Sequence, residues 1–373
     1  MNTTFFSPER GEATDKVFEE LCFSAPTEPA CFEDVAAGIA RAIELDRRPA
    51  FLEGLSARLC ELGFGCTPKD KTAMLAEIRR RYKAVLGKTC PKTVCKWVEG
   101  TPPSDKNRRN NYELCCALEM DCRQTTAFFQ KCFLTVPWVC RNRVDAVFLY
   151  CIYHGKPYSD AAKMLDETAG FVPRENAGTA TAQIFQTILE CEDDGRFLDY
   201  LSTHCYGEKQ QFSTAREHIL RELEPVRAYI LKTEFDRVLS PDRLNSLIVT
   251  ELLGYRYQAV DKKAERHKLP KRFTESLPND VTLGDIVNGE KASCETLRKT
   301  LMLLHFFNFY CSAANDNDTV TGNLLDFYDE LNGELFRCGF APIYERHPFD
   351  CLLLYCANTL DPIASFYTIN ERN

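Results

Sequence analysis

TVCKWVEGTPPSDKNRRNNYELCCAL (residues 93–118) and TLGDIVNGEKASCETLRKTLMLLHFF (residues 282–307) are two stretches of this chain that follow one pattern. Both begin with apolar residues at helical spacing, reach a glycine, and start a second helical pattern after a serine. At a constant offset of 189 residues they align at six pairs: Thr93 with Thr282, Trp97 with Ile286, Gly100 with Gly289, Ser104 with Ser293, Arg109 with Arg298 and Leu114 with Leu303. The chain therefore contains one helical module twice.

The likeness extends beyond these stretches, because both copies close on Leu-Tyr-Cys, at residues 149–151 and 354–356. With one residue slipped in the loop, four more pairs align: Lys131 with Arg337, Phe133 with Phe340, Trp138 with Tyr344 and Asp145 with Asp350. From this repeat we predict four segments: an N-terminal helical segment at 1–66, a first helix-turn-helix-like module with a helical extension at 67–170, a helical connector at 171–260 and a second, degenerate copy at 261–373.

Helical periodicity dominates the rest of the chain, and two-residue alternation is scarce. Helix starts are predicted at Ser159, at a Thr214…Glu217 capping box, and at Ser240 followed by Pro241. The sequence therefore predicts an all-α, multi-helical protein with two copies of a helix-turn-helix-like module and helical extensions.

Charge is distributed unevenly. The chain carries −8 overall, but residues 69–109 hold twelve Lys and Arg against four acids, which is +8 and leaves −16 for the remainder. A basic block in an acidic chain is typical of nucleic-acid contact, although a solvated helix face gives the same pattern.

The basic block contains a family resemblance. PKTVCKWVEGTPPSDKNRRNNYELCCALEMD, residues 91–121, resembles the second half of a lambda-repressor-like (xenobiotic-response-element-type) helix-turn-helix domain. A short helix ends in Trp97 and Gly100, a proline-containing loop follows, and Ser104 or Asp105 can cap the next helix. Residues 70–89 supply the preceding helix, with Gly87 in the turn. The extension beyond resembles uncharacterised proteins of anaerobic Gram-positive bacteria and their mobile elements.

The resemblance implies binding to double-stranded DNA. Lys92, Thr93 and Lys96 would reach base edges from the short helix, whose Val94 and Trp97 face a core. Six cations would hold phosphates: Lys88, Arg79, Arg80, Lys106, Arg108 and Arg109. Arg109 is ambiguous, because its partner Arg298 persists in the other copy, so a structural pairing with a loop carbonyl or an acid is also open.

The second copy lacks this basic face. At the places of Lys92, Lys96 and Arg108 it has Val281, Asp285 and Leu297. An acidic helix is repelled by phosphate, so this copy is predicted to serve packing or partner binding. Because a single basic reading helix gives weak specificity, we expect a homodimer on a two-fold DNA site. The alternative is a protein partner bound through the second module.

Motifs of catalysis and cofactor binding are missing from the sequence. His347, Asp350 and Cys351 could suggest a nucleophile, but the repeat favours Asp350 and Asp145 as helix N-caps. The nineteen cysteines lack zinc-ligand spacing and are predicted to be buried reduced thiols. We expect no enzyme activity, cofactor, metal or membrane contact, and a cytoplasmic location because no signal peptide is readable.

Two functions are compatible with these patterns. The first is a sequence-specific DNA-binding regulator of bacterial or mobile-element origin that contacts DNA through the first module. The alternative is a non-enzymatic helical interaction scaffold or accessory protein of a phage-defence or mobile-element system.

Overall fold

The computed structural model describes residues 50–103, 108–170, 181–233, 239–253, 276–290, 292–313, 323–344, 347–359 and 361–371. These described residues form α-helices and one π-helical turn and contain no β-strand, so the predicted all-α class is confirmed. Extended pairing among them is limited to one isolated bridge between Asn142 and Tyr206.

The chain divides into two compact units, Arg48–Gln211 with Gly339–Ala341, and Phe212–Cys338 with Pro342–Asn373. The first unit therefore includes residues on both sides of the predicted 67–170 module. The second begins within the segment 171–260 that the sequence assigned to a connector.

The helices of the first unit follow in chain order. They are α1 Ala50–Glu61, α2 Lys71–Val85, α3 Lys92–Glu99, α4 Arg108–Ala117, α5 Cys122–Phe128 with the π-helical turn Phe129–Phe133, α6 Arg143–Tyr153, α7 Tyr158–Glu167, α8 Thr181–Glu190 and α9 Asp194–His204.

The remaining helices belong mainly to the second unit. They are α10 Glu208–Thr233, α11 Pro241–Leu252, α12 Asp280–Asn288, α13 Cys294–Ala313, α14 Asn323–Arg337, α15 Pro348–Ala357 and α16 Pro362–Glu371.

The same pattern of helix packing occurs within each of the two units. In the first, α2 packs on α3 and α4, α4 on α6, and α6 on α7. In the second, α11 packs on α12 and α13, and α15 on α16. There α13 is joined to α15 by hydrogen bonds from Arg298 to Asp350. The repeat thus includes α2 and α11 as counterparts.

The core of the first unit explains why α1 belongs to it. Phe51, Leu55 and Leu59 recur every four residues on α1, and all three side chains are buried. Gly54 faces the π-helical turn so closely that an added Cβ would lie 2.3 Å from the Sγ of Cys132. A larger residue at position 54 would push α1 away from that turn.

The helix starts only partly follow the capping signals. Ser240 accepts from the Arg243 N–H, and Pro241 opens α11, as predicted. The other two expected starts are wrong. Ser159 is the second residue of α7, which follows Pro157, and Thr214 lies inside α10.

The aspartates of the repeat are not N-caps. Asp145 and Asp350 are each the third residue of their helices, and the capping positions belong to Asn142 and His347. Both copies instead use the aspartate to bind an arginine.

Candidate nucleic-acid interface

Helix α3 has one thoroughly buried side. Val94 and Val98 are fully buried, and Trp97 is only 3% exposed. The indole of Trp97 packs edge-on against Phe51, with 6.1 Å between ring centroids, and at 5.8 Å against Phe133. These contacts anchor the short helix to α1 and the π-helical turn, so its rotation about its own axis is fixed.

The opposite side of α3 faces solvent. Lys92, Thr93 and Lys96, the three residues predicted to reach base edges, are all exposed. Within the part of the chain that the structure describes, neither lysine forms an ion pair. Both ammonium groups are therefore available to an anionic partner.

The C-terminus of α3 is held by a cation. Gly100 has φ of +120°, and its N–H donates to the carbonyls of Lys96 and Trp97 at 3.1 Å. The Nζ of Lys71 donates to the Glu99 carbonyl at 3.0 Å. A Cβ on residue 100 would lie 3.0 Å from that Nζ, which can shift, so glycine is needed here for the turn.

Helix α2 contributes exposed cations beside α3. Arg79 is exposed, and its Nη2 lies 3.8 Å from the Sγ of Cys95 on α3. Lys83 is also exposed and forms no ion pair among the described residues. It belongs to the basic block, but only the exposure pattern of α2 identifies it as part of the candidate face. We call Arg79, Lys83, Lys92, Thr93 and Lys96 the α2–α3 face.

Arg80 is partly neutralised. It donates two 2.7 Å hydrogen bonds to the carboxylate of Glu77, which also accepts from Arg81 at 2.9 Å. Hydrogen bonding from Arg80 holds the pKa of Glu77 below its ordinary value, against the effect of burial. The side chain of Arg80 nevertheless remains 63% exposed, so it can still face an anion.

Two predicted phosphate contacts, Lys88 and Arg109, share an internal carboxylate. Glu113 is 1% exposed and accepts from Lys88 Nζ at 2.8 Å and from Arg109 Nε at 2.9 Å. It also accepts from the Tyr158 hydroxyl at 2.7 Å. A buried carboxylate needs such partners, so the two cations primarily serve the fold.

Arg108 has a wholly structural position. Its Nε donates to Asp145 Oδ1 at 2.8 Å, and its Nη2 donates to the Val136 carbonyl at 2.8 Å. Asp145 is completely buried and also accepts from the Val139 N–H. The prediction of a phosphate contact is therefore not supported at Arg108, because its fork is committed to a buried acid and a loop carbonyl.

The same arrangement recurs in the second unit. Arg298 donates to Asp350 at 2.9 and 2.7 Å and to the Pro342 carbonyl at 3.1 Å. Asp350 accepts from the Tyr344 N–H at 2.9 Å, six residues earlier, as Asp145 does from Val139. Arg298 thus corresponds to Arg108, which corrects the gapless alignment with Arg109 by one residue.

Lys106 and the cap candidates Ser104 and Asp105 lie outside the described residues. Of the nine predicted site residues, the structure brings Lys92, Thr93, Lys96 and Arg79 to one exposed face, with Arg80 half-engaged beside them. Lys88, Arg108 and Arg109 are instead tied to internal carboxylates.

The second copy presents a different surface at the counterpart of α3. Helix α12 ends at Gly289 in a left-handed conformation, with the carbonyls of Ile286 and Val287 capped by Arg216 at 2.9 and 2.6 Å. Val281, at the place of Lys92, is 65% exposed. The scaffold is preserved, whereas the cationic face is not.

Around Asp350 lies a buried ionic cluster. His347 Nδ1 is 3.0 Å from Asp350 Oδ1, and Lys299, 2% exposed, pairs with Glu295 at 3.1 Å. Burial raises the pKa of Asp350, but the charge of Arg298 outweighs it and the pKa is lowered. Asp350 is thus engaged by Arg298 and His347 together, which is a structural ionic contact and not an arrangement built around Cys351.

The described cysteines are free thiols, and most are buried. No group of three or more His, Cys, Asp or Glu residues suited to a metal ion occurs in the described ranges. None of the described helices has the length and hydrophobicity that crossing a membrane requires. Comparisons with protein-family models, curated proteins and solved structures gave no match to this chain.

Proposed function

We propose that this protein is a sequence-specific DNA-binding regulator, of bacterial or mobile-element origin, that contacts DNA through the α2–α3 face. The observation that supports this most directly is the division of α3. One side is fixed by Val94, Trp97 and Val98, while Lys92, Thr93 and Lys96 project from the other without a described acidic partner.

In this proposal α3 lies in the major groove. Lysine can donate to guanine acceptors there, and a threonine can contact either polar base edges or the thymine methyl group. Arg79 and Lys83 of the neighbouring helix bind phosphates and set the register. Because one helix of eight residues offers few base contacts, two copies of the chain occupy a two-fold site.

A direct test is binding of full-length protein to random duplex DNA at salt concentrations from about 50 to about 200 mM. We expect affinity to fall with salt, and Lys92→Glu/Lys96→Glu to abolish most of the binding. Lys209→Glu/Lys232→Glu is the matched control, because it makes the same charge change at two exposed lysines of α10. Equal losses in both variants, or no salt dependence, would contradict DNA binding by α3.

The alternative is a non-enzymatic interaction scaffold, and one observation favours it. The ion pairs of Lys88, Arg108 and Arg109 reduce the free cations of the basic block. In this case the α2–α3 face would bind an acidic protein partner. Retained binding of a partner by wild type, lost in Lys92→Glu/Lys96→Glu while no duplex DNA binds, would favour the scaffold.

A further inference from the structure

Two thiols meet where α3 begins. Cys90 lies directly before Pro91, which precedes the helix, and Cys95 is the fourth residue of the helix. Their Sγ atoms are 3.8 Å apart. Both side chains are largely buried, at 7% and 9% exposure.

The two positions have a defined role at the start of a helix. The residue before the N-cap and the fourth helical residue commonly carry apolar side chains that pack together, and this contact fixes the direction from which the chain enters the helix. Here thiols take both places. A free cysteine packs as a small apolar side chain, so the reduced pair serves this purpose.

The thiol pair occurs only in the copy with the cationic face. At the repeat offset of 189, Cys90 and Cys95 align with Asn279 and Gly284. Asn279 caps α12 through its own side chain, which accepts from the Thr282 N–H at 2.9 Å. The module therefore does not need two sulfur atoms at these positions in order to fold.

We propose that Cys90 and Cys95 form a reversible disulfide that redirects the start of α3 and thereby regulates the α2–α3 face. The oxidant is a small-molecule disulfide such as oxidised glutathione. One cysteine thiolate attacks it and releases the first glutathione thiol, and the second cysteine thiolate then displaces the other. The two cysteines lose two electrons and two protons in total, and one disulfide is reduced to two thiols.

The disulfide would move the residues of α3 that are proposed to contact bases. A disulfide brings its sulfur atoms to about 2.0 Å, so the pair must close from the 3.8 Å of the reduced state. Lys92 and Thr93 lie between the two cysteines and move with them. Arg79, whose Nη2 is 3.8 Å from Cys95 Sγ, adjoins the same atom. Oxidation therefore alters both helices of the face at once.

The reaction is expected to be slow. Burial, with the adjacent Cys95, raises the pKa of Cys90 to about 12, and the thiolate is the reactive form. Exposed Cys60 should react earlier, and its glutathionylation serves as an internal reference. Opening of the first turn of α3 would admit the oxidant to the pair.

The effect on DNA rests on the proposed function, whereas formation of the bond does not. Full-length protein is incubated with oxidised glutathione, and the Cys90–Cys95 cross-link is quantified by mass spectrometry of unreduced peptides. We expect the cross-linked protein to bind duplex DNA about tenfold more weakly, the loss of roughly one base contact, and to recover on reduction. Cys60→Ala should behave like wild type, and Cys90→Ala should neither cross-link nor change affinity.

Absence of the cross-link in wild type, or equal affinities of the oxidised and reduced forms, would overturn the proposal. If reduced protein binds no DNA, the proposed function fails, and amide hydrogen exchange of residues 92–99 becomes the deciding readout. Unchanged exchange in the cross-linked protein would then refute the redirection of α3. Cys95→Ala is a second variant in case Cys90→Ala does not fold, and thermal unfolding checks both.

Discussion

Arg298 grips Asp350 with two hydrogen bonds, and Asp350 also accepts the N–H of Tyr344 six residues earlier. Arg108 and Asp145 form the same contact in the first unit. Asp145 accepts the N–H of Val139, and Arg108 donates to the Val136 carbonyl in the same loop. In both copies the arginine, the aspartate and the loop thus form a clamp, which joins the loop to two helices. Both aspartates are at least 99% buried, so nothing else in solution can replace the arginine.

Breaking this clamp should be severely destabilising. Asp350→Asn leaves Arg298 buried without its counter-charge, and removal of one partner of a buried pair costs about 3–5 kcal/mol. Urea denaturation would measure the loss, and Asp145→Asn should repeat it in the first unit. Glu167→Gln is the control, because the pair of Lys163 and Glu167 is exposed and contributes at most about 1 kcal/mol. If Asp350→Asn lowers the free energy of unfolding by less than about 1 kcal/mol, the stabilising role of the clamp is contradicted.

Replacing Gly100 should weaken the first unit. Alanine at its φ of +120° is strained by about 1–2 kcal/mol, and its Cβ would lie 3.0 Å from the Nζ of Lys71, which would have to shift slightly. The free energy of unfolding of Gly100→Ala tests this. Gly65→Ala is the comparison, since nothing lies within 4 Å of its added Cβ and its φ is not positive. Equal stability of the two variants would show that neither strain nor crowding matters at residue 100.

The structure separates the exposed cations of the basic block from those bound to buried carboxylates. If the α2–α3 face binds DNA, Lys83→Gln should reduce the salt dependence of log K by about one unit, as expected for one lost phosphate contact. Lys88→Gln should instead leave that slope unchanged and lower stability by about 1–3 kcal/mol, because Glu113 loses a hydrogen-bonding partner. Binding isotherms across salt and urea titrations of both variants would decide. The reverse outcome would restore the sequence-based assignment of Lys88.

Acid should destabilise the second unit. Despite burial, charges and hydrogen bonds from their partners hold the pKa of Asp350, Glu295, Glu334 and Glu222 below the ordinary 3.8 and 4.5. The folded state therefore binds fewer protons than the unfolded state. Stability from these groups is complete above the ordinary pKa values and is lost as pH falls below them.

Urea denaturation at about pH 7 and about pH 3.5 would measure this loss. Glu334→Gln removes one of the titrating groups, so its stability should depend less steeply on pH over that interval than that of wild type. An equal or steeper dependence in the variant would contradict the role of Glu334.

Local pattern predicted the fold class and α3 well. Val94 and Trp97, three residues apart, were sufficient to orient α3, and the exposed positions of Lys92 and Lys96 followed. Gly100 and Gly289 end their helices with the same pair of amide contacts, so the offset of 189 holds there.

Ion pairs between residues far apart in the sequence could not be predicted from it. Arg108 and Arg109 are adjacent in the sequence but lie on different sides of α4. Arg108 pairs with buried Asp145, whereas the partly exposed Arg109 pairs with Glu113. Lys88 finds Glu113 twenty-five residues away, a contact without local signal. The expected start at Thr214 failed for a related reason: capping residues also occur inside longer helices such as α10.

The clamp uses none of the residues on the exposed side of the short helix, and this has a consequence for protein engineering. The second copy already has the glycine stop and the buried Ile286, and Arg216 binds the end of its short helix as Lys71 does in the first copy. It differs at Val281 and Asp285, which occupy the places of Lys92 and Lys96, while Thr282 already matches Thr93. Val281→Lys/Asp285→Lys would therefore give the second copy a cationic surface without changing the buried residues that hold its short helix. The two surfaces could then be varied independently in one chain.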